Sequence, residues 1–204
     1  MSAVKRRSRY DSVAMTLHWL IAVAVVVNLC LGLYVGEILA DSDPGRLPIL
    51  QLHKSIGLSV LVLSLLRLGW RLANPVPPLP ETISPRLRLL ARASHYLLYF
   101  LIIAIPLSGW ALVSTLRNGA PTFYFGLFHW PNPAFLTGLP RDVRAPLHDG
   151  FDTTHVILAF AMIALVPLHI AGAFYHARGG ESVLRRMLPG VRVAPKTRKI
   201  TVPS

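Results

Sequence analysis

Two histidines bracket one apolar segment of the chain. The segment HVILAFAMIALVPLH begins at His155 and ends at His169, and the thirteen residues between them carry no charge. A titratable ring in hydrocarbon is costly, so such histidines usually face a partner inside a helix bundle or belong to a functional site. Fourteen steps along an α-helix advance about 21 Å and turn about 1,400°, which is about 40° short of four turns. The spacing therefore places both imidazoles on one helix face, at two depths in a membrane.

The composition indicates a helical membrane protein. The chain has 204 residues, 53% of them hydrophobic and 15% charged, with a mean hydropathy of +0.51. The hydrophobic fraction and the mean hydropathy exceed those of an ordinary soluble domain, and the charged fraction is lower. The net charge of +12 does not predict a nucleic-acid partner, because the basic residues cluster between apolar spans. Four spans come close to the ~20 residues that a bilayer requires: 15–36, 52–70, 93–115 and 151–176. The predicted fold class is an all-α membrane protein, a four-helix transmembrane bundle.

The chain is predicted to consist of three parts. Residues 1–14 form an N-terminal segment, 15–177 the four-helix transmembrane domain, and 178–204 a tail in which ESVLRRMLPG forms a short interfacial helix. If both termini and the second connection share one side, that side carries 16 of the 21 basic residues and three of the nine acidic ones. The positive-inside rule then places both termini in the cytoplasm, with the spans in the lipid bilayer of a bacterial inner membrane.

This orientation sorts five histidines into two layers. The outer layer holds His53 and His155, and the inner layer holds His18, His95 and His169. Because a membrane histidine usually needs a partner, two matched layers favour ligand binding over isolated hydrogen bonds. Helical geometry alone leaves open which of the other two inner histidines pairs with His169.

The same fourteen-residue step recurs at other positions. Gly32 and Gly109 follow the histidines of the first and third spans by fourteen residues, and Arg67 follows that of the second. Gly57 adds another position without a side chain at the outer layer, where a broad, flat group could approach the backbone. Arg67 could pair with an anionic group such as a propionate. We therefore predict two haem groups, because histidines from facing helices can fill both axial positions of the iron.

Longer motifs resemble those of the bacterial cytochrome b561 family. They are TLHWL in the first span, LHKSIGLSVLVLSLLRLGWRL in the second, SHYLLYFLIIAIPLSGW in the third, H-x13-H in the fourth, and the later NGAPTFYFGL and VLRRMLPG. The resemblance implies a di-haem b cytochrome of the inner membrane. It also implies that His18 and His169 bind the inner haem iron, and that His53 and His155 bind the outer one.

The resemblance further implies electron exchange with ubiquinone, and similar stand-alone members look like superoxide oxidases. We therefore predict a superoxide:ubiquinone oxidoreductase. Lys54 and Arg117 would attract superoxide at the outer face, and His176 or His95 would contact the quinone at the inner one. The alternative is an electron carrier, linked to quinol or quinone, that serves a separate redox partner protein. A small transporter with a histidine proton relay is a third hypothesis.

Overall fold

The computed structural model describes residues 10–74, 84–116 and 121–178, together with Met187; the side chains of 176–178 lie outside the described part. The elements are α1 (Ser12–Leu33) with a π-helical turn (Tyr34–Ile38), α2 (Arg46–Ala73), α3 (Pro85–Ser114), β1 (Thr122–Tyr124), β2 (Phe128–Trp130), α4 (Ala134–Thr137) and α5 (Arg141–Arg178).

Four of the described helices are long and apolar enough to cross a membrane. They contain 22, 28, 30 and 38 residues, so each is at least as long as the ~30 Å hydrocarbon core at about 1.5 Å per residue. Large apolar side chains such as Val23, Leu66 and Phe160 are exposed on the outside of the bundle, where lipid would cover them. The chain is therefore a membrane protein, and the predicted all-α four-helix transmembrane bundle is confirmed.

The bundle has two distinct ends. At the terminal end, α1 and α3 begin and α2 and α5 finish; at the hairpin end lie β1 and β2. α1 packs on α2, α2 on α3, and α3 on α5. A buried apolar cluster occupies the middle of the bundle; its members are Ile21, Val60, Leu101, Ile102 and Met162. This packing separates the two ends by a layer of close-packed hydrocarbon side chains.

Side-chain hydrogen bonds fix the start of α1 at the terminal end. The carboxylate of Asp11 accepts a hydrogen bond from the backbone N–H of Ala14 at 2.8 Å, which caps the helix. The same carboxylate accepts one from the indole N–H of Trp70 at 3.1 Å. Asp11 therefore ties the first turn of α1 to the last turn of α2.

Arg46 performs a similar role at the hairpin end. Its guanidinium donates hydrogen bonds to the carbonyl oxygens of Val35 and Leu39, and it forms an ion pair with Asp41 at 3.2 Å. These contacts satisfy carbonyl groups that the end of a helix leaves without partners. They join the π-helical turn to the beginning of α2.

The last spanning helix begins earlier than the predicted span 151–176. α5 starts at Arg141, so the preceding connection is shorter than the sequence suggested. The connection contains an antiparallel hairpin in which Phe123 pairs with His129. Its turn places Phe125 and Gly126 at positive φ angles of 49° and 74°, a region that glycine adopts at low cost.

Side chains of α2 hold this hairpin against the bundle. Gln51 donates to the carbonyl of Pro121 at 3.2 Å and accepts from the N–H of Phe123 at 3.1 Å. One turn further on, the Ser55 hydroxyl accepts from the N–H of Phe125 at 3.0 Å. The hairpin therefore lies beside the second and third turns of α2.

The predicted interfacial helix ESVLRRMLPG lies outside the described residues except for Met187. The carbonyl oxygen of Met187 accepts a hydrogen bond from the indole N–H of Trp19 at 2.8 Å. Met187 therefore lies beside α1 at the terminal end.

Candidate functional site

Two imidazoles face each other at the hairpin end. The rings of His53 in α2 and His155 in α5 have centroids 6.1 Å apart and planes inclined at 86°. An imidazole nitrogen lies about 2 Å from a first-row metal that it binds, so two imidazoles sharing one metal have centroids about 6 Å apart. The observed separation therefore fits a single metal atom between the rings.

Backbone carbonyls orient both rings. The Nδ1 atom of His53 donates to the carbonyl oxygen of Asn28 at 3.1 Å, and that of His155 donates to the carbonyl oxygen of Ile105 at 3.0 Å. The Ser108 hydroxyl also lies 3.0 Å from Nδ1 of His155. Because a carbonyl oxygen can only accept, the proton of each ring is on Nδ1 and the lone pair is on Nε2. Histidines that bind metals are typically oriented in this way.

Two glycines make room for these rings. A Cβ atom at Gly32 would lie 3.0 Å from Cε1 of His53, and a Cβ at Gly109 would lie 2.9 Å from Cε1 of His155. Ordinary carbon–carbon contacts are about 3.5–4.0 Å. The sequence associated these glycines with a flat cofactor, and in the structure the nearest ring to each is the histidine itself. Gly57 instead faces the side-chain amide of Asn28.

A cavity of about 290 Å³ opens beside this pair and is lined by all four long helices. Its volume is close to the lower end of the range for small-molecule sites. Lys54 is half-buried and lines the cavity, as does Asp152. The side-chain oxygen of Asn28 is buried here without a hydrogen-bond partner among the described residues. The lining is therefore mainly apolar, with a few polar groups that could orient a ligand.

The two imidazole donors of His53 and His155 suit a metal whose remaining ligands come from a cofactor. Two imidazoles alone leave a bare ion short of ligands, and the described residues contain no group of three or more His, Cys, Asp or Glu side chains arranged to hold one. Haem iron needs only the two axial ligands from the protein. The opposed rings and the apolar cavity therefore fit a b-type haem.

Three histidines gather at the terminal end. The ring centroid of His169 in α5 lies 6.4 Å from that of His18 in α1 and 5.3 Å from that of His95 in α3. The structure thus brings together the three inner-layer histidines and separates them from the hairpin-end pair by the apolar cluster. Both His18 and His95 lie next to His169, so the structure contains two histidine pairs at this end, His18–His169 and His95–His169.

Arg67 also lies in this cluster. Its Nη1 atom donates to Nδ1 of His18 at 2.9 Å. Its guanidinium carbon lies 5.4 Å from the ring centroid of Tyr99, and that of Arg71 lies 5.2 Å from the same centroid. Arg67 therefore contacts the rings of His18 and Tyr99. Two positive charges, those of Arg67 and Arg71, meet at the terminal end, where an anionic group would be stabilised.

Two predicted site residues cannot be placed. Arg117 lies outside the described residues, and His176 belongs to α5 but its side chain lies outside the described part.

Two features of the site, Asn28 and the hairpin, were not predicted from the sequence. Asn28 could have been singled out because it is the one asparagine in the apolar α1 segment. The hairpin could have been predicted from the aromatic pattern FYFGLFHW around Gly126.

Comparison with known proteins gives consistent matches along the chain. A family model described as prokaryotic cytochrome b561 matches residues 9–190. The chain is 35% identical over 191 residues to cytochrome b561 homolog 2 of Escherichia coli (strain K12), covering 92% of this chain and 95% of that protein. It is 27% identical over 187 residues to the probable superoxide oxidase CybB of Yersinia pestis, covering 90% of this chain and 98% of that protein.

Proposed function

The chain belongs to the prokaryotic cytochrome b561 family, and we propose that it is a di-haem cytochrome that oxidises superoxide and reduces ubiquinone. The family implies b-type haem, which supplies one-electron redox chemistry when bound. In the overall reaction, two superoxide anions each lose one electron and become dioxygen. One quinone gains both electrons and two protons and becomes quinol. The observation that carries the proposal is the opposed pair His53 and His155 at 6.1 Å.

We assign one haem to each end of the bundle. His53 and His155 would hold the hairpin-end haem, and His18 and His169 the terminal-end haem. Gly32, Gly57 and Gly109 would allow close packing at the hairpin end. Arg67 would pair with a carboxylate of the terminal-end haem, because a guanidinium binds a carboxylate through two parallel hydrogen bonds. Bis-imidazole ligation would leave no open coordination position for dioxygen, which suits electron transfer.

Superoxide would react at the hairpin end. Lys54 follows His53 directly and lines the same cavity, so its charge could attract a small anion to that side. Arg46 is less suitable, because Asp41 and two backbone carbonyls already occupy its guanidinium. We propose Arg117 as a second cation at this mouth, since it follows α3 at the same end of the bundle.

Ubiquinone would react at the terminal end, with His176 as a hydrogen-bonding partner. A histidine step of fourteen residues corresponds to about 21 Å along a helix, which is most of the ~30 Å hydrocarbon core. The two reactions would therefore occur near opposite faces. The charge distribution supports a bacterial inner membrane with both termini in the cytoplasm. We propose that the chain consists of an N-terminal segment (1–14), a transmembrane domain (15–177) and a C-terminal tail (178–204).

The proposal can be tested with the purified, haem-loaded protein. A superoxide-generating system and a soluble ubiquinone analogue are added, and quinol formation is followed with and without superoxide dismutase. We expect rapid, catalytic quinol formation that the dismutase abolishes. Lys54→Gln should slow the reaction and reduce its dependence on salt, whereas the exposed Arg141→Gln should not.

An electron carrier is the second candidate function. The relative with the higher identity is described only as a cytochrome b561 homolog, whereas the relative described as a probable superoxide oxidase shares 27% identity. A carrier would bind haem in the same way but would need a separate redox partner protein. Haem-loaded protein that is inert towards superoxide, yet is reduced by quinol, would contradict the oxidase and support the carrier.

A further inference from the structure

Three polar side chains lie in one line along α2. Gln51, Ser55 and Ser59 are four residues apart, so they share one face of the helix. Val60 belongs to the buried cluster at the middle of the bundle. At about 1.5 Å per residue, Ser59 lies ~1.5 Å from the level of Val60, and Ser55 lies ~7.5 Å from it. Both serines are therefore well within the ~15 Å that separates the middle of a bilayer from the edge of its hydrocarbon core.

The hairpin is hydrogen-bonded to this line of side chains, which sets its depth. The N–H of Phe125 donates to the Ser55 hydroxyl at 3.0 Å, and the hydroxyls of Tyr124 and Ser59 lie 2.9 Å apart. The N–H of Leu127 closes the turn by donating to the carbonyl of Tyr124 at 2.9 Å. The turn of the hairpin therefore lies at the level of Ser55, within the apolar length of α2 rather than beyond its end.

The hairpin sequence is apolar for a connection between helices. Residues 121–131 read PTFYFGLFHWP and contain no Lys, Arg, Asp or Glu, whereas turns that face water are rich in Asn, Asp and Ser. Thr122 faces the bundle, where it is buried and lines the cavity. Four large apolar side chains of the hairpin are exposed: Phe123, Phe125, Leu127 and Phe128. An exposed apolar surface of this kind marks a contact with a membrane or with another protein.

The face of α2 that carries the hairpin continues as a lipid-facing surface. Val62 and Leu66 follow Ser59 by three and seven residues, so they extend the same face towards the terminal end. Their side chains are 43% and 58% exposed on the outside of the bundle, where lipid would cover them. The hairpin occupies the part of this face nearest the hairpin end. Lipid is therefore the partner that suits both the hairpin and the rest of the face.

We propose that the hairpin of β1 and β2 is inserted into the lipid leaflet at the hairpin end, with its exposed side chains against acyl chains. Non-helical backbone is tolerated at membrane depth only where the protein satisfies its polar groups. Gln51 and Ser55 provide hydrogen-bonding partners for backbone groups of Phe123 and Phe125. The polar line of α2 holds the hairpin in the leaflet in this way. The proposal goes beyond the haem and superoxide chemistry proposed above and depends on neither.

Thiol labelling of the full-length protein in vesicles tests the proposal. A Cys30→Ser background removes the native thiol, and a single cysteine is introduced as Leu127→Cys, Ser42→Cys or Leu66→Cys. The vesicles contain phosphatidylcholine and phosphatidylglycerol, carry at most one chain each, and have a charged maleimide on both sides of the bilayer. Maleimide reacts with the thiolate, which forms in water and is strongly disfavoured in hydrocarbon.

We expect Leu127→Cys to lose labelling to the same extent as Leu66→Cys, while Ser42→Cys labels fully. Ser42 is exposed in the connection between α1 and α2, at the same end of the bundle, so it is the matched control for access. Labelling of all three variants after unfolding in dodecyl sulfate shows that each thiol is intact. Labelling of Leu127→Cys as fast as that of Ser42→Cys would overturn the proposal, because the hairpin would then face water. Protection that appears only at many chains per vesicle would also overturn it, because the cover would then be a second copy of the chain.

Gln51→Ala, added to the Leu127→Cys variant, tests whether α2 holds the hairpin. The change removes the acceptor for the N–H of Phe123 and the donor to the carbonyl of Pro121. Labelling at position 127 should rise towards that of Ser42→Cys. The matched control is Leu66→Ala on the same helix face, which should leave the labelling unchanged. Equal labelling with and without Gln51 would overturn the role of the polar line. Unchanged far-ultraviolet circular dichroism shows that each variant is folded.

Discussion

Replacing Gly109 with alanine should weaken haem binding at the hairpin end. The new Cβ atom would lie 2.9 Å from Cε1 and 3.2 Å from Nδ1 of His155. A normal carbon–carbon contact begins at about 3.5 Å, so the ring or the helix must move by about 0.6 Å. That movement would also disturb the 3.0 Å hydrogen bond from Nδ1 to the carbonyl of Ile105, which fixes the orientation of the ring.

The size of the effect follows from the cost of overpacking. Adding a methyl group to a close-packed site typically costs about 1–3 kcal/mol. If this cost appears in cofactor affinity, hairpin-end haem should bind about 5- to 150-fold more weakly, because each 1.4 kcal/mol is a factor of ten. Haem content per purified chain, measured after dilution and re-isolation, reports this loss.

Gly172→Ala is the matched control for this experiment. Gly172 also lies in a spanning helix, α5, but a Cβ there would meet nothing within 4 Å. Both variants replace a helical glycine with alanine, so they share the gain in helix propensity. We expect Gly172→Ala to bind haem normally. Equal haem content in the two variants would refute the argument that Gly109 makes room for the imidazole of His155.

Three further changes test other parts of the account. His155→Ala should remove the hairpin-end haem and leave the terminal-end one, as measured by redox titration of the purified protein; loss of both would argue against independent sites. Gln51→Ala removes two hydrogen bonds to the hairpin, each of which contributes about 0.5–1.5 kcal/mol. Limited proteolysis should then cut near residues 121–130 more readily, and an unchanged digestion pattern would show that Gln51 does not hold the hairpin. Asp11→Ala removes the cap of α1 and the contact with Trp70, so the thermal unfolding midpoint should fall by the equivalent of about 0.5–2 kcal/mol; an unchanged midpoint would contradict this.

The spanning helices were predictable because their length and composition are set by the bilayer. The sequence missed the start of α5 for the same physical reason. Its first ten residues, RDVRAPLHDG, include charged side chains and two residues that are poor helix formers, and they lie beyond the apolar segment. A search for apolar spans detects only the part of a helix that lipid would cover. The helix itself continues from Arg141.

The hairpin was harder to predict because its strands contain only three residues each. Such strands are too short to show a clear alternation of apolar and polar side chains. The contacts that hold them come from Gln51 and Ser55, about seventy residues away along the chain. Local sequence patterns contain no information about such distant partners.

Helical geometry alone groups the histidines at two ends, because fourteen residues return a helix almost to the same face. It does not reveal the groups that orient each ring. Asn28 and Ile105 provide backbone carbonyls from neighbouring helices, and any residue type could do so. The donor to His18 was equally hidden, since the sequence suggested an anion as the partner of Arg67. These second contacts depend on how the helices pack, and packing required the structure.

The central claim is that pairs of imidazoles at both ends of the bundle hold haem. The most direct measurement is the amount and ligation of haem in the purified full-length chain, from a pyridine haemochrome assay combined with electron paramagnetic resonance. The account predicts two b-type haems per chain, both low-spin with two imidazole ligands. A folded chain that contains no porphyrin, or one whose haem iron lacks imidazole ligands, would contradict it.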